Sequence, residues 1–230
     1  MEKISFSFAP TTIIEKAGIE IYSLLVENFS KTFFVGGMVR DLLLGRSITD
    51  IDITTSLLPK RVKKILLEKK IQTHDKGFFF GTISAVLRNK QIEITTLRTE
   101  KYTTNRYPKI AFTTNTYLDS LRRDFTINSL YLSQKEAHIL DFHGGLKDLQ
   151  KKFIRSIGDP QKKFTQDPLR IIRALRFEHE LHFRIEKSTK LALEKNLHLV
   201  SRITTHKRDT ELKKIKNTSV RKKITEYLSL

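Results

Sequence analysis

An α+β fold is what the sequence predicts, with a strand-bearing domain first and a helical one after it. Short segments of strand character cluster between residues 33 and 141. The last third instead carries apolar residues at helical spacing, and no internal repeat or low-complexity segment interrupts either part. At 230 residues the chain has room for one or two domains with a real core.

Residues 11–29 place Ile13, Ile14, Ala17, Ile21, Leu24 and Leu25 along one helical face. Phe33 to Val35 reads as a short strand stopped by Gly36-Gly37. A short helix over Met38–Leu44 follows, closed by Gly45. Residues 50–55, DIDITT, alternate, so Ile51 and Ile53 face one way and Asp50, Asp52 and Thr54 the other. Pro59 suits the first turn of a helix reaching about Lys70. Thr82–Leu87 and Ile92–Leu97 flank the polar turn Arg88-Asn89-Lys90 and predict a hairpin. Residues 98–117 are polar and lack helical pattern, so they are expected to form a loop, long enough to suggest function. From Leu118 the pattern is mainly helical, apart from a strand or turn near Ser129–Asp141. Helices are expected at about 168–182, 187–199 and 206–228.

Lys and Arg number 43 against 25 Asp and Glu, a formal net charge of +18. Such a surplus points to an anionic partner, because clustered cations gain by displacing the counterions around phosphates. Residues 201–230 keep the bias, with nine Lys or Arg against three Asp or Glu; the alternative there is a solvated helix face. Cysteine is absent, which excludes disulfides and cysteine-ligated zinc. No apolar run approaches the ~18 residues of a spanning helix, and MEKISFSFAP lacks the apolar core of a secretory leader. The expectation is a soluble, basic, cytoplasmic protein with no membrane partner.

Asp50 and Asp52 are the first candidates for chemistry. Two apart on a strand, their carboxylates share a face and need a cation or proton to offset repulsion. Mg²⁺, a hard ion with oxygen ligands, suits them, and paired metals suit phosphoryl or nucleotidyl transfer. Asp-x-Asp also arises at ordinary solvent-facing strand positions. The preceding Phe34-Val35-Gly36-Gly37-Met38-Val39-Arg40-Asp41 reads as strand, glycine turn and helix start, a plausible phosphate seat with Arg40 as an added cation. The bland alternative is a tight turn that needs glycine for its dihedrals.

Residues 34–55, FVGGMVRDLLLGRSITDIDITT, closely resemble the first motif of the class II tRNA nucleotidyltransferase and bacterial poly(A) polymerase family. Arg122-Arg123-Asp124-Phe125-Thr126-Ile127-Asn128 resembles that family's R-R-D-F-T-I-N segment. Asp141-Phe142-His143-Gly144-Gly145 with Asp148-Leu149 resembles its Gly-Gly hinge region. Asp167-Pro168-Leu169-Arg170-Ile171-Ile172-Arg173-Ala174-Leu175-Arg176-Phe177 resembles its E-D-P-L-R-x-x-R-A-x-R-F helix. The four motifs stand in order across about residues 32–178.

The resemblance implies a nucleotidyltransferase head with a small mixed β-sheet flanked by helices at 1–140. A shortened, all-helical neck and RNA-binding part follows at 141–230 and closes the nucleotide pocket. Asp50 and Asp52 inherit the role of catalytic metal ligands. Glu93, mid-strand and opposite Ile92 and Ile94, is a candidate third catalytic acid, or else an exposed charge on a half-buried hairpin. Gly36, Gly37 and Arg40 are assigned to the nucleotide phosphates. Arg123, Asp124 and Asn128 resemble the residues that engage its sugar and phosphates, and spacing of four on a helix would put Asp124 and Asn128 together.

Asp167 and Arg170 resemble the pair that reads the base. A carboxylate accepts from an amino group while a guanidinium donates to a ring nitrogen. Cytosine and adenine both offer that edge; guanine and uracil do not. Taken alone, Asp167 is also a natural cap before Pro168, and Arg170 an ordinary surface residue. Arg173 of the same helix is grouped with the nucleotide-binding residues. Gln166 stands where the family usually has Glu, a departure that bears on the placement of Arg170 or Arg173 and hence on base selectivity.

Residues 74–87, HDKGFFFGTISAVL, resemble the G-x-x-x-G-T-x-x-V form of the tRNA enzymes, and no G-R-R segment of the poly(A) polymerase kind is present. Arg98, Glu100, Tyr102, Arg106 and Pro108 resemble the flexible loop needed for terminal A addition. The expected activity is template-independent addition of CMP, AMP or both from CTP and ATP to the 3′ end of tRNA, with Mg²⁺ and release of pyrophosphate; CCA, CC-only and A-only addition stay open, the retained loop favouring the first and last. The chain stops soon after the neck, without the family's body and tail helices. Poly(A) addition to other RNA 3′ ends, or a truncated, non-catalytic RNA-binding relative, are the alternatives. The seven histidines show no metal-ligand spacing and are read as structural.

Overall fold

The computed structural model describes residues 1–28, 30–102 and 108–228; Arg106 of the anticipated flexible loop lies outside them. The chain divides into two compact units. One comprises Met1–Thr103, Pro108–Arg123 and Asn128–Gly145; the other is built on Asp124–Ile127 and Leu146–Leu230.

The first unit opens with β1 (Glu2–Ser5), then α1 (Ile13–Val26), β2 (Thr32–Val35), α2 (Gly37–Leu43), β3 (Ile51–Thr55), α3 (Pro59–Glu68) and β4 (Gln72–His74). A 3-10 turn at Phe78–Phe80 leads into β5 (Thr82–Leu87), β6 (Lys90–Thr96), β7 (Arg98–Lys101), β8 (Lys109–Phe112), α4 (Thr116–Ser120), β9 (Leu130–Ser133) and β10 (His138–Asp141). Eight of these strands form one sheet in the order β1-β10-β9-β2-β3-β6-β5-β4. Its β3–β6 pair is parallel and its other pairs are antiparallel, giving the mixed sheet of an α+β fold.

α1 starts on a capping box: Thr12 Oγ1 accepts from the Glu15 N–H, and Glu15 Oε2 accepts from the Thr12 N–H at 3.0 Å. Its apolar side, Ala17, Ile21 and Leu25, is fully buried. The Tyr22 ring stacks on Phe34 of β2 at 4.9 Å between centroids. At Gly18 helix and sheet come close, since a β-carbon there would stand 2.6 Å from Ile51 Cδ1. On the opposite face of the sheet, Phe33, Val35, Leu97 and Tyr131 form a second apolar cluster, flanked by Leu140 and Phe142.

Two departures from expectation have clear causes. The β5–β6 turn contains two residues rather than three: Arg88 and Asn89 have φ of 54° and 58°, and Lys90 already belongs to β6. Two successive positive φ values match the primed turns that fit the twist of a hairpin. Residues 98–117 do not form a plain loop, because β7 and β8 pair antiparallel from Arg98↔Phe112 to Lys101↔Lys109. The strand pattern was hidden because β7 buries charge against charge. Arg98 Nη2 lies 2.8 Å from Glu100 Oε1 on the same side of the strand, where an apolar pair would ordinarily announce it.

The second unit holds α5 (Gly145–Lys151), β11 (Phe153–Ile154), α6 (Pro160–Gln166), α7 (Leu169–Leu181), β12 (Arg184–Ile185), α8 (Lys187–Lys195), a 3-10 turn at Leu197–Arg202, α9 (Thr205–Lys213) and α10 (Thr218–Tyr227). It is not purely helical: β11 and β12 form a two-stranded parallel pair, too short for an alternating pattern to show. The single helix expected over 206–228 is two, α10 restarting on Asn217, whose side chain accepts from the Val220 N–H. Phe164, Ile171, Ile172, Ala174, Leu193 and Val200 make this unit's core. Among the described residues no helix is long and apolar enough to cross a membrane.

Candidate nucleotide and metal site

The acidic residues of the first unit converge through strand register. Asp52 of β3 is the Cα partner of Val35 on one side and of Glu93 on the other. Paired residues on adjacent strands project from the same face, so Asp52 and Glu93 stand side by side. Ile51, Ile53, Ile92 and Ile94 point the other way and are essentially inaccessible. Asp50 is exposed just ahead of β3, its Oδ2 accepting from Thr49 Oγ1 at 3.0 Å.

Gly36 adjoins this face. Its φ is +74°, and a β-carbon on it would lie 3.0 Å from Asp52 Oδ2. Glycine therefore satisfies the backbone and leaves the carboxylate its space. Among the described residues no three His, Cys, Asp or Glu are grouped as a metal cage. The donors that are present still fit Mg²⁺, which binds through one or two carboxylates completed by water and substrate phosphates.

Arg40 is buried and its guanidinium is engaged. Nε and Nη2 donate to the two oxygens of Asp41 at 3.0 and 2.8 Å, and Nη1 donates to Asn128 Oδ1 at 2.7 Å. It thus holds Asn128 in place within the first unit. The segment carrying Asp124 and Asn128 is a turn and a 3-10 stretch, Thr126–Asn128, and not the α-helix expected from their spacing.

Arg123 belongs to a cluster around Asp119, a residue that the sequence reading passed over. Asp119 is fully buried and accepts from the Arg98 main-chain N–H at 3.0 Å and Arg122 Nε at 2.8 Å. It also accepts from Arg123 Nη2 at 3.1 Å and the Tyr131 hydroxyl at 2.7 Å. Burial alone would raise its pKa, but Arg123 and Arg122 prevail and hold it at about 2. Burial pushes the Tyr131 hydroxyl up, so it stays protonated and donates. The i,i+3 and i,i+4 spacing of Asp119 with Arg122 and Arg123 was the available signal.

In the second unit Asp124 meets Arg173 of α7. Arg173 Nε and Nη2 reach Asp124 Oδ2 at 2.8 and 2.7 Å, while Asp124 Oδ1 accepts from the Phe125 N–H at 2.7 Å. Burial opposes the Asp124 charge, but Arg173 beside it keeps the carboxyl far below its usual range. Asp167 closes α6, and its Oδ1 accepts from the N–H of Leu169, the first residue of α7, at 3.3 Å; the N-cap of α7 is Pro168 rather than Asp167. Arg170 is buried, and its Nη1 donates to the Lys163 carbonyl at 3.3 Å. Glu211 of α9, another residue without a sequence signal, contacts Arg173 and Arg176.

Residues 32–155, more than half of the chain, match the family model described as the poly A polymerase head domain. The chain is 42% identical over 193 residues to a CCA-adding enzyme of Lactobacillus helveticus, covering 83% of this chain and 44% of that protein. It is 40% identical over 199 residues to a CCA-adding enzyme of Bacillus pumilus, covering 86% and 48%. Among solved structures it is similar to the Bacillus stearothermophilus CCA-adding enzyme in complex with CTP, with a TM-score of 0.79 and 34% identity over 89% of this chain and 49% of that one. It is also similar to the Thermotoga maritima CCA-adding enzyme complexed with tRNA, with a TM-score of 0.76 and 29% identity over 96% and 52%. The chain spans about half the length of the relatives it matches. The ordered motifs, the mixed sheet carrying Asp52 beside Glu93 and the match over residues 32–155 lead to one assignment: the chain belongs to the poly A polymerase head domain family.

Proposed function

We propose that this chain is a nucleotidyltransferase of the tRNA CCA-adding type, adding CMP and AMP from CTP and ATP to an RNA 3′ end. The observation that carries this reading is the register of Asp52 with Glu93, with Asp50 two residues before Asp52. Similar proteins bearing the CCA-adding name, including one in complex with CTP and one with tRNA, support the choice of substrates.

In this reading the RNA 3′-hydroxyl attacks the α-phosphate in line and pyrophosphate leaves. Asp50 and Asp52, with Glu93 beside them, would hold Mg²⁺. When bound, that ion neutralises phosphate charge and stabilises the attacking and leaving oxygens. The main chain at Gly36 and Gly37 gives the phosphates close approach to this face, unobstructed by a side chain. Arg40 fixes Asn128, and Asp119 fixes Arg123, for the sugar and phosphates. In the second unit Asp124, held by Arg173, is a nucleotide contact, Asp167 accepts from the base amino group and Arg170 donates to its ring nitrogen. That pattern selects cytosine and adenine over guanine and uracil.

The test is incubation of the purified chain with tRNA lacking its 3′ end and each labelled nucleotide in turn. CTP and ATP should be incorporated, in an Mg²⁺-dependent manner, and GTP and UTP refused. Incorporation of none of the four would refute the activity. Long ATP-only products on unrelated RNA would show a poly(A) polymerase instead.

A further inference from the structure

Glu211 lies on α9, well outside the four motifs, yet it is among the most buried charged residues of the second unit. Its Oε1 accepts from Arg176 Nε at 2.9 Å and faces Arg173 Nη1 at 3.4 Å, and its Oε2 accepts from Lys214 Nζ at 3.0 Å. Arg173 is thereby held at both ends, with Nε and Nη2 on Asp124 and Nη1 toward Glu211. Each of its three nitrogens faces a carboxylate. An arginine clamped in this way is a strut rather than a free ligand cation. Arg176 is likewise shared between Glu211 and Glu180, with its guanidinium carbon 4.3 Å from the centroid of the Phe177 ring.

We propose that Glu211 is a positioning residue for nucleotide binding: it fixes Arg173, and through Arg173 the carboxylate of Asp124. The inference rests on the reading of Asp124 as a nucleotide contact given above. It assigns to the C-terminal helices a part in the site, supplied by a carboxylate rather than by their basic surface. Burial disfavours the Glu211 charge, but Arg173, Arg176 and Lys214 around it hold its carboxyl below the usual range, so it is ionised wherever the enzyme would work. Without that charge Arg173 loses the carboxylate at its Nη1 end and is held by Asp124 and the face of the Phe177 ring, so the Arg173–Asp124 pair gains freedom to swing about the Asp124 side chain.

The experiment compares the full chain with Glu211→Gln and Glu211→Asp, using Glu180→Gln as a control that removes another carboxylate partner of Arg176 and leaves the Glu211–Arg173 contact in place. Single-nucleotide incorporation should show KM for CTP and ATP raised about tenfold in Glu211→Gln with kcat within about twofold, as expected for loss of a charge-assisted contact that orders the site before chemistry. Glu211→Asp should recover part of the loss, and Glu180→Gln should leave KM unchanged. The ¹⁵N signal of the Arg173 Nε–H, assigned by its disappearance in Arg173→Lys, should lose its protection from solvent exchange in Glu211→Gln only. An unchanged KM overturns the proposal, and so does a kcat loss that merely tracks a lowered melting temperature. If the parent incorporates no nucleotide, the functional reading fails by itself. The Arg173 signal then decides on Glu211, an unaltered signal overturning the strut.

Discussion

Asp52 and Glu93 are Cα partners across the parallel β3–β6 pair, so one carboxylate from each strand lies on the sheet face turned away from α1. Asp50→Asn or Asp52→Asn should therefore lower nucleotide incorporation roughly a thousandfold or more while leaving the fold intact. Glu93→Gln, on the neighbouring strand, should cost less, roughly ten- to a hundredfold. Incorporation rates with saturating Mg²⁺, together with circular dichroism melts, check both. Parental rates in either aspartate variant would remove the metal assignment.

Gly36 and Gly45 separate backbone strain from crowding. Both have positive φ, +74° and +66°, but only Gly36 has a neighbour, Asp52 Oδ2, within reach of a β-carbon. Gly45→Ala should cost about 1 kcal/mol of stability from its positive φ, and Gly36→Ala about 1–3 kcal/mol, since its φ of 74° with ψ of −143° lies in a region nearly reserved for glycine. Gly36→Ala should also suppress incorporation, because the added methyl displaces the carboxylate, whereas Gly45→Ala should retain it. Urea titrations and incorporation assays on the two variants make the comparison.

Asp119 should leave a mark on acid stability. Its pKa is about 2 in the folded chain against an ordinary 3.8. A carboxyl lowered by folding contributes its full stability above the unfolded value and loses it as pH falls toward the folded one. The loss should amount to about 2 kcal/mol between pH 4 and pH 2. Urea melts across that range should show this component in the parent and lack it in Asp119→Asn, which should be the less stable protein at neutral pH.

Base choice should depend on Asp167 more than total rate does. Asp167→Ala should reduce CTP and ATP incorporation by more than GTP or UTP incorporation, because only the first two present the amino group the carboxylate accepts from. Gln166→Glu should sharpen the preference. Equal losses for all four nucleotides in Asp167→Ala would leave Asp167 with only the local role of its 3.3 Å bond to the Leu169 N–H between α6 and α7.

The helices and strands that border apolar cores were legible because periodicity reports burial. The alternation of Ile51 and Ile53 with Asp50 and Asp52 gave both the strand and its polar face. What escaped were elements held by charge. β7 carries no apolar alternation, since Arg98 and Glu100 satisfy each other across one face. Asp119 and Glu211 were passed over for a related reason. A buried carboxylate surrounded by arginines reads, along the chain, like any surface ion pair; only three-dimensional neighbours distinguish the two. The spacing of Asp124 and Asn128 presumed an α-helix where the chain makes a turn and a 3-10 stretch, which no apolar period announces. Glu93 opposite Asp52 could be suspected from its strand, but the pairing itself is a property of register and not of either segment.

The missing side chain at Gly18 has a mechanical consequence for the carboxylates. Ile51 sits between Asp50 and Asp52 in sequence, and its Cδ1 occupies the hollow that a β-carbon on Gly18 would need. α1 thus serves as an anvil behind β3, and the depth of that one hollow sets how far the strand can retreat. Any bulk added there would be transmitted as a thrust through Ile51 to the opposite surface. A helix with no chemistry of its own thereby calibrates the height of Asp50 and Asp52.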